Sequence, residues 1–131
     1  MDIHENRKGL GEVGERSIIE IIRKRLTTMP ASPVPFGDDV SAVTIQGEHV
    51  AVLKTDMLVG KTDVPDGMSL RQAARKAVVM NVSDFAAKGV QPLAVLVSLG
   101  LPRDLMQKDV EEIARGLREN PIRFREVKID E

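Results

Sequence analysis

The chain has 131 residues and a net charge of −1, with 19 basic side chains against 20 acidic ones. That length predicts one domain, and the even balance excludes the basic footprint of a nucleic-acid binder. Cys, Trp and Tyr are absent, which rules out disulfides, zinc–thiolate sites, thiol nucleophiles and the stacking platforms of single-strand binders.

Hydrophobic residues make up 42% of the chain and aromatics 2%, so the core must be built from Ile, Leu, Val and Ala. The opening stretch, residues 1–16, is polar and carries no signal-peptide pattern. The longest apolar run, residues 93–101, contains Ser98 and Gly100 and is far shorter than the ~20 residues a bilayer span needs. A cytoplasmic protein with no membrane and no nucleic-acid partner is the expectation.

In chain order, residues 1–13 are expected to be a flexible N-terminus. Helical spacing begins near Gly14: Ile18, Ile19, Ile22, Leu26 and Met29 form one stripe, and Glu20 with Lys24 offers an i,i+4 pair. Pro30 ends that helix, and Pro33 and Pro35 keep the next segment extended. Residues 40–45 and 50–55 read as strands, joined by a turn at Gln46-Gly47-Glu48-His49. A hairpin brings Asp39, at the start of the first strand, to the same end as Thr55 and Asp56. His4 and His49 read as surface residues.

Residues 61–67 read as a loop. Gly60-Lys61-Thr62 there is no phosphate loop: Thr55 stands where that pattern needs its first Gly, and turn residues follow instead of a helix. Ser69 and Gln72 form a capping-box pattern that opens a helix to Lys88, with Gly89 as its left-handed cap. One face of this helix runs Ala73, Ala77, Asn81, Asp84, from small apolar to polar. The apolar run 93–101 suits a central strand covered on both sides. Asp104 and Gln107 form a second capping pair before a helix through Leu105, Val110, Ile113, Ala114 and Leu117, which Asn120-Pro121 stops. The order α, β, β, α, β, α predicts an α+β fold, a mixed sheet with helices packed on one face.

Three acidic motifs fall at element ends: Gly37-Asp38-Asp39, Lys54-Thr55-Asp56 and Asn81-Val82-Ser83-Asp84. Carboxylates converging at element ends suit Mg²⁺, which binds through a few Asp side chains, waters and substrate phosphates. Taken singly, Asp38-Asp39 reads better as a turn and strand cap and Thr55-Asp56 as a strand terminus, whereas Asp84, in a helix's last turn where the dipole disfavours it, leans slightly towards a role.

Together with Arg75-Lys76-Ala77, the run on to Gly89, and Ser98-Leu99-Gly100-Leu101-Pro102, these motifs resemble the N-terminal part of the thiamine-monophosphate kinases, in wording closest to archaeal members. That family shares the fold of the aminoimidazole ribonucleotide synthetase N-terminal domain. The resemblance covers residues 14–117 and implies an incomplete domain over residues 14–119 with a non-matching tail, residues 120–131. It implies transfer of the γ-phosphoryl of ATP onto the phosphate of thiamine monophosphate, aided by Mg²⁺. By position, Asp39, Thr55, Asp56 and Asp84 match metal ligands, with Asp84 shared between ions. Asp38, Lys54 and Asn81 match supporting positions behind them. Lys76 lies in the same frame without a role.

Two departures stand out. Lys54 replaces a Ser found in many bacterial members and can occupy one cation's place. Asp63 replaces a substrate-touching His, which makes it a weak candidate for substrate contact. The family continues into a Gly-Gly-Asp strand and a second domain, so this chain reads as truncated. The resemblance implies a homodimer. The alternatives are a non-catalytic dimerisation or nucleotide-binding module of the same fold, and an ATP-dependent synthetase acting on another substrate.

Overall fold

The computed structural model describes residues 9–26 and 32–119. The chain divides into two units, Met1–Ser32 and Pro33–Glu131. The expected end of the first helix at Met29-Pro30, His4, residues 1–8 of the N-terminus and the tail 120–131 lie outside the described residues.

In the first unit a single turn, α1 (Leu10–Val13), is followed by α2 (Glu15–Arg23). Gly14 separates them at φ 77°, a left-handed conformation that only glycine adopts readily. Of the apolar stripe of α2, Ile18 is half-buried while Ile19 and Ile22 are exposed, as are Ile21 on the flank and Leu26 in the turn beyond the helix. The expected Glu20–Lys24 pair is replaced by Glu20 with Arg23, joined at 2.8 Å through both carboxylate oxygens. The guanidinium fork matches a carboxylate two-to-two, which an ammonium cannot do.

The second unit opens with the hairpin of β1 (Ser41–Gln46) and β2 (His49–Leu53). Its turn is tighter than the sequence suggests, because Gln46 pairs with His49 and leaves only Gly47 and Glu48 between them. Gly47 takes φ 60°. Ser41 pairs with Leu53, Ala42 with Val52 and Val43 with Ala51. Val40 and Ala42, two residues apart and so on one face, are buried.

Residues 60–63 depart from the expected loop. They form one helical turn, α3 (Gly60–Asp63), closed on itself by the Asp63 carboxylate, which accepts the Val59 N–H at 2.6 Å. An Asp four residues on can satisfy an amide that a loop would leave to water.

The long helix α4 (Leu70–Ala87) begins and ends as its sequence signals. The Gln72 N–H donates to Ser69 Oγ, and the Ser69 N–H donates to Gln72 Oε1. At the far end Gly89 sits at φ 67°, its N–H donating to the Ala86 carbonyl and that of Val90 to Phe85. Those two bonds make a Schellman cap.

The second capping pair falls two residues later than predicted. Helix α5 (Gln107–Arg118) starts after Met106, whose N–H donates to the Asp109 carboxylate at 2.9 Å. An acidic side chain in the first turn also meets the positive end of the helix. Helices α4 and α5 pack on each other. Ala73, Ala74 and Val78 of α4 and Ile113 and Gly116 of α5 are buried.

Residues 93–101 form no strand. Val95, Val97 and Leu99 are half-buried, while Leu93 and Leu96 are 83% and 82% exposed. The alternation is that of an extended segment with one face turned inward. Among the described residues no strand lies beside it to complete a ladder, and apolar composition cannot replace that hydrogen bonding. The fold is α+β, with the antiparallel hairpin as the sheet of the described residues. None of the described helices is long and apolar enough to cross a membrane.

Candidate functional site

The open end of the hairpin and the last turns of α4 meet in a cluster of charges. The register Ser41 with Leu53 carries Asp39 on one chain and Thr55 and Asp56 on the other to the same end. Gly37 at φ 98° turns the chain into the Asp38-Asp39 pair. Asp38 uses both carboxylate oxygens: one accepts the Val40 N–H at 3.2 Å, the other the Lys88 ammonium at 2.8 Å. The Lys88 bond, then the amide, hold the Asp38 carboxyl below its ordinary range.

Lys54 stands at the centre of this cluster. Its ammonium lies 2.8 Å from Asp84 Oδ2 and 3.6 Å from Asp56 Oδ2, and its side chain is 11% exposed. The hydrogen bond to Asp84 raises the Lys54 pKa, and the charges of Asp84, Asp56 and Asp39 add to it against the effect of burial. Lys88 is likewise held above its usual value, first by its bond to Asp38 and then by the nearby charges of Asp38, Asp39 and Asp84.

Asp84 illustrates why the cluster is tolerated. A carboxylate in the last turns of a helix meets the negative end of the helix dipole. Here Lys54 offsets that cost directly. The remaining oxygen of Asp56, Oδ1, accepts the Met57 N–H at 2.8 Å, which fixes the side chain at the strand end.

The structure therefore brings Asp84 and Asp56 to one lysine, with Asp39 at the same end of the hairpin and near enough for its charge to act on that lysine, while Thr55 is exposed. Among the described residues no three acidic or His side chains form a ready-made metal cage. The donor set is nonetheless of the kind Mg²⁺ takes, since that ion is held by one or two carboxylates with waters and phosphate oxygens completing the shell.

Two candidates are occupied otherwise. The Asn81 amide donates to the Ala77 carbonyl of its own helix at 2.9 Å. The Asp63 carboxylate closes α3, and its carbonyl accepts the Lys76 ammonium at 2.5 Å. Lys76 thus ties the segment between β2 and α4 to the helix. With Arg75, Gln72, Met68 and Val79 it also lines a groove of about 560 Å³. Eight residues separate Lys76 from Asp84, about 12 Å along the axis at 1.5 Å per residue.

Sequence reasoning gave Lys88 no role. Its partner is 50 residues away, so no local spacing could reveal the pair.

The fold is that of an α+β domain with carboxylates and lysines clustered at the open end of its hairpin. The chain belongs to the family described as AIR synthase related protein, N-terminal domain, which matches residues 37–124. Among curated proteins it is similar to a thiamine-monophosphate kinase of Nitrosopumilus maritimus, 38% identical over 83% of this chain and 33% of that protein. It is 46% identical to one from Pyrococcus abyssi over 64% of this chain and 27% of the relative. A bacterial relative of the same name, from Corynebacterium glutamicum, is 32% identical over 82% of this chain and 32% of its own length. The chain spans about a third of the length of these relatives. No solved structure matches it.

Proposed function

We propose that this chain supplies the N-terminal, cation-holding part of a thiamine-monophosphate kinase, with ATP and thiamine monophosphate as substrates and Mg²⁺ as the cofactor. The observation that carries this reading is the pairing of Lys54 with both Asp84 and Asp56 at the open end of the hairpin, in a chain whose relatives bear that name. Asp39, Thr55, Asp56 and Asp84 would hold the metal. Asp38, through Lys88, would keep the first of these in place.

In the reaction, an oxygen of the thiamine monophosphate phosphate forms a bond to the γ-phosphorus of ATP, and the bond from that phosphorus to the β–γ bridging oxygen breaks. ADP leaves with that bond's electron pair. Two polyanions must approach each other, so catalysis is largely alignment and charge neutralisation. Mg²⁺ supplies much of that neutralisation when bound. The chain's own share is to set the carboxylates and the Lys54 and Lys88 ammonium groups around the phosphates. The cytoplasm, where ATP is made available, is the fitting location.

The reading includes a homodimer. Leu93 and Leu96 are both open to water in the segment 93–101, and exposed apolar surface favours association.

The test is divalent-ion and nucleotide binding by the unaltered protein, Asp39→Asn and Asp84→Asn. The unaltered chain is expected to bind Mn²⁺ and ATP saturably, and both variants to lose at least tenfold in affinity. Absence of binding in the unaltered chain would replace the kinase reading with that of a non-catalytic association module. Binding of ATP without formation of thiamine diphosphate, when assayed with the rest of the kinase supplied, would favour a synthetase with another substrate.

A further inference from the structure

A surface lysine normally carries its strongly hydrated ammonium outward on an apolar stem. Lys54 does the reverse: its side chain is 11% exposed and its ammonium is directed at Asp84 and Asp56, at 2.8 and 3.6 Å. Lys88, on the same cluster, is 40% exposed and pairs with Asp38. Lys54 is therefore the cation that occupies the middle of the site, and Lys88 the one at its margin.

We propose that Lys54 is a tethered counter-cation that holds the place between Asp56 and Asp84 and must vacate it for a divalent ion to bind there. This rests on the metal site proposed above.

Two physical arguments support exchange over simple addition. Mg²⁺ needs oxygen ligands at about 2.0–2.1 Å in near-octahedral order. An ammonium hydrogen-bonded to the same Asp84 oxygen blocks part of that approach. Repulsion acts in the same direction. A doubly charged ion about 5 Å from an ammonium is disfavoured roughly tenfold or more even at the dielectric constant of water.

The four-carbon stem gives the displaced ammonium somewhere to go. Swung outward, it becomes a point charge available to phosphate oxygens. Uptake of the metal and presentation of a lysine to the substrate phosphates are then one event. A site built this way keeps its carboxylates neutralised between turnovers without a resident ion.

The test is a Mn²⁺ titration of the unaltered protein and of Lys54→Met, followed by loss of the free-ion paramagnetic resonance signal. Lys54→Met keeps the stem and removes the charge. It is expected to bind Mn²⁺ at least tenfold more tightly than the unaltered chain. Lys54→Arg, which keeps the charge, is expected to gain nothing. The gain is expected to vanish in Lys54→Met combined with Asp84→Asn. Should Lys54→Met fail to give the helical circular dichroism of the parent, Lys54→Gln takes its place with the same expected direction. Equal or weaker binding by the charge-free variant would overturn the exchange while leaving the metal site standing. A gain that survives Asp84→Asn would place the ion elsewhere and also overturn it. No saturable binding in any form would overturn the metal site itself, and the exchange with it.

Discussion

Gly116 of α5 lies directly against the backbone carbonyl of Arg71 on α4, and a methyl group built there would also come within 2.9 Å of the Ala74 side chain. The absent side chain is what lets the two helices approach at this point. Gly116→Ala is therefore expected to destabilise the protein, although alanine ordinarily favours a helix. Overpacking of this kind costs about 1–3 kcal/mol, against a gain in helix propensity of at most about 1 kcal/mol. Urea denaturation of the two proteins decides the sign. A more stable variant would mean that the helices can separate freely.

Ser69 and Gln72 satisfy each other's backbone amides at the start of α4. Removing the hydroxyl in Ser69→Ala should cost about 1 kcal/mol, read as a lower denaturation midpoint with an unchanged slope. Ser69→Asp should retain most of the stability, since a carboxylate can take over the cap. A Ser69→Ala protein as stable as its parent would show that α4 does not depend on its cap.

Asp38 gives a pH dependence whose sign follows from its pairing. Its carboxyl is held below the ordinary value of 3.8 by Lys88 and the Val40 amide. The unfolded chain binds a proton there first as pH falls. The stabilisation from this carboxylate is thus fully present above that value and disappears as pH drops through the folded-state value. Asp38→Asn should melt below the parent at pH 7, and the two melting curves should converge as the solution is made strongly acidic. A difference that persists unchanged in acid would assign the effect to hydrogen bonding alone.

Leu96 offers a check on association. It is 82% exposed, so Leu96→Lys should alter the stability of an isolated chain by no more than about 0.5 kcal/mol. In a dimer joined through this face the same change should lower the apparent mass in light scattering at micromolar concentration. A parent protein that is already monomeric under those conditions would refute the homodimer.

The local parts of the fold were readable from local signals. The alternation and turn residues of the hairpin, the Ser69–Gln72 cap and the Gly89 terminus all act within a few residues, and each appears where its chemistry requires. That Asp39 lies at the same end of the hairpin as Thr55 and Asp56 followed from the hairpin alone. What stayed illegible depends on distant partners. Whether residues 93–101 become a strand is decided by the neighbour available to pair with them. The inward course of Lys54 depends on Asp84, 30 residues on, and Lys88 depends on Asp38 across 50 residues. The Asp63 carboxylate was harder to anticipate, since the usual capping pair spans three residues and this bond spans four. The expected pair of Asp104 and Gln107 gave way to Met106 and Asp109, two residues on, where the N3 side chain accepts from the N-cap amide although the N-cap residue itself is apolar.

The two lysines that fasten the hairpin to α4 differ in how far water reaches them, 11% for Lys54 against 40% for Lys88. Dissolved ions weaken open pairs more than sheltered ones. Rising ionic strength will therefore loosen the Asp38 side of the clasp before the Asp84 side, so that the entrance to the cluster softens in brine while its centre keeps its grip.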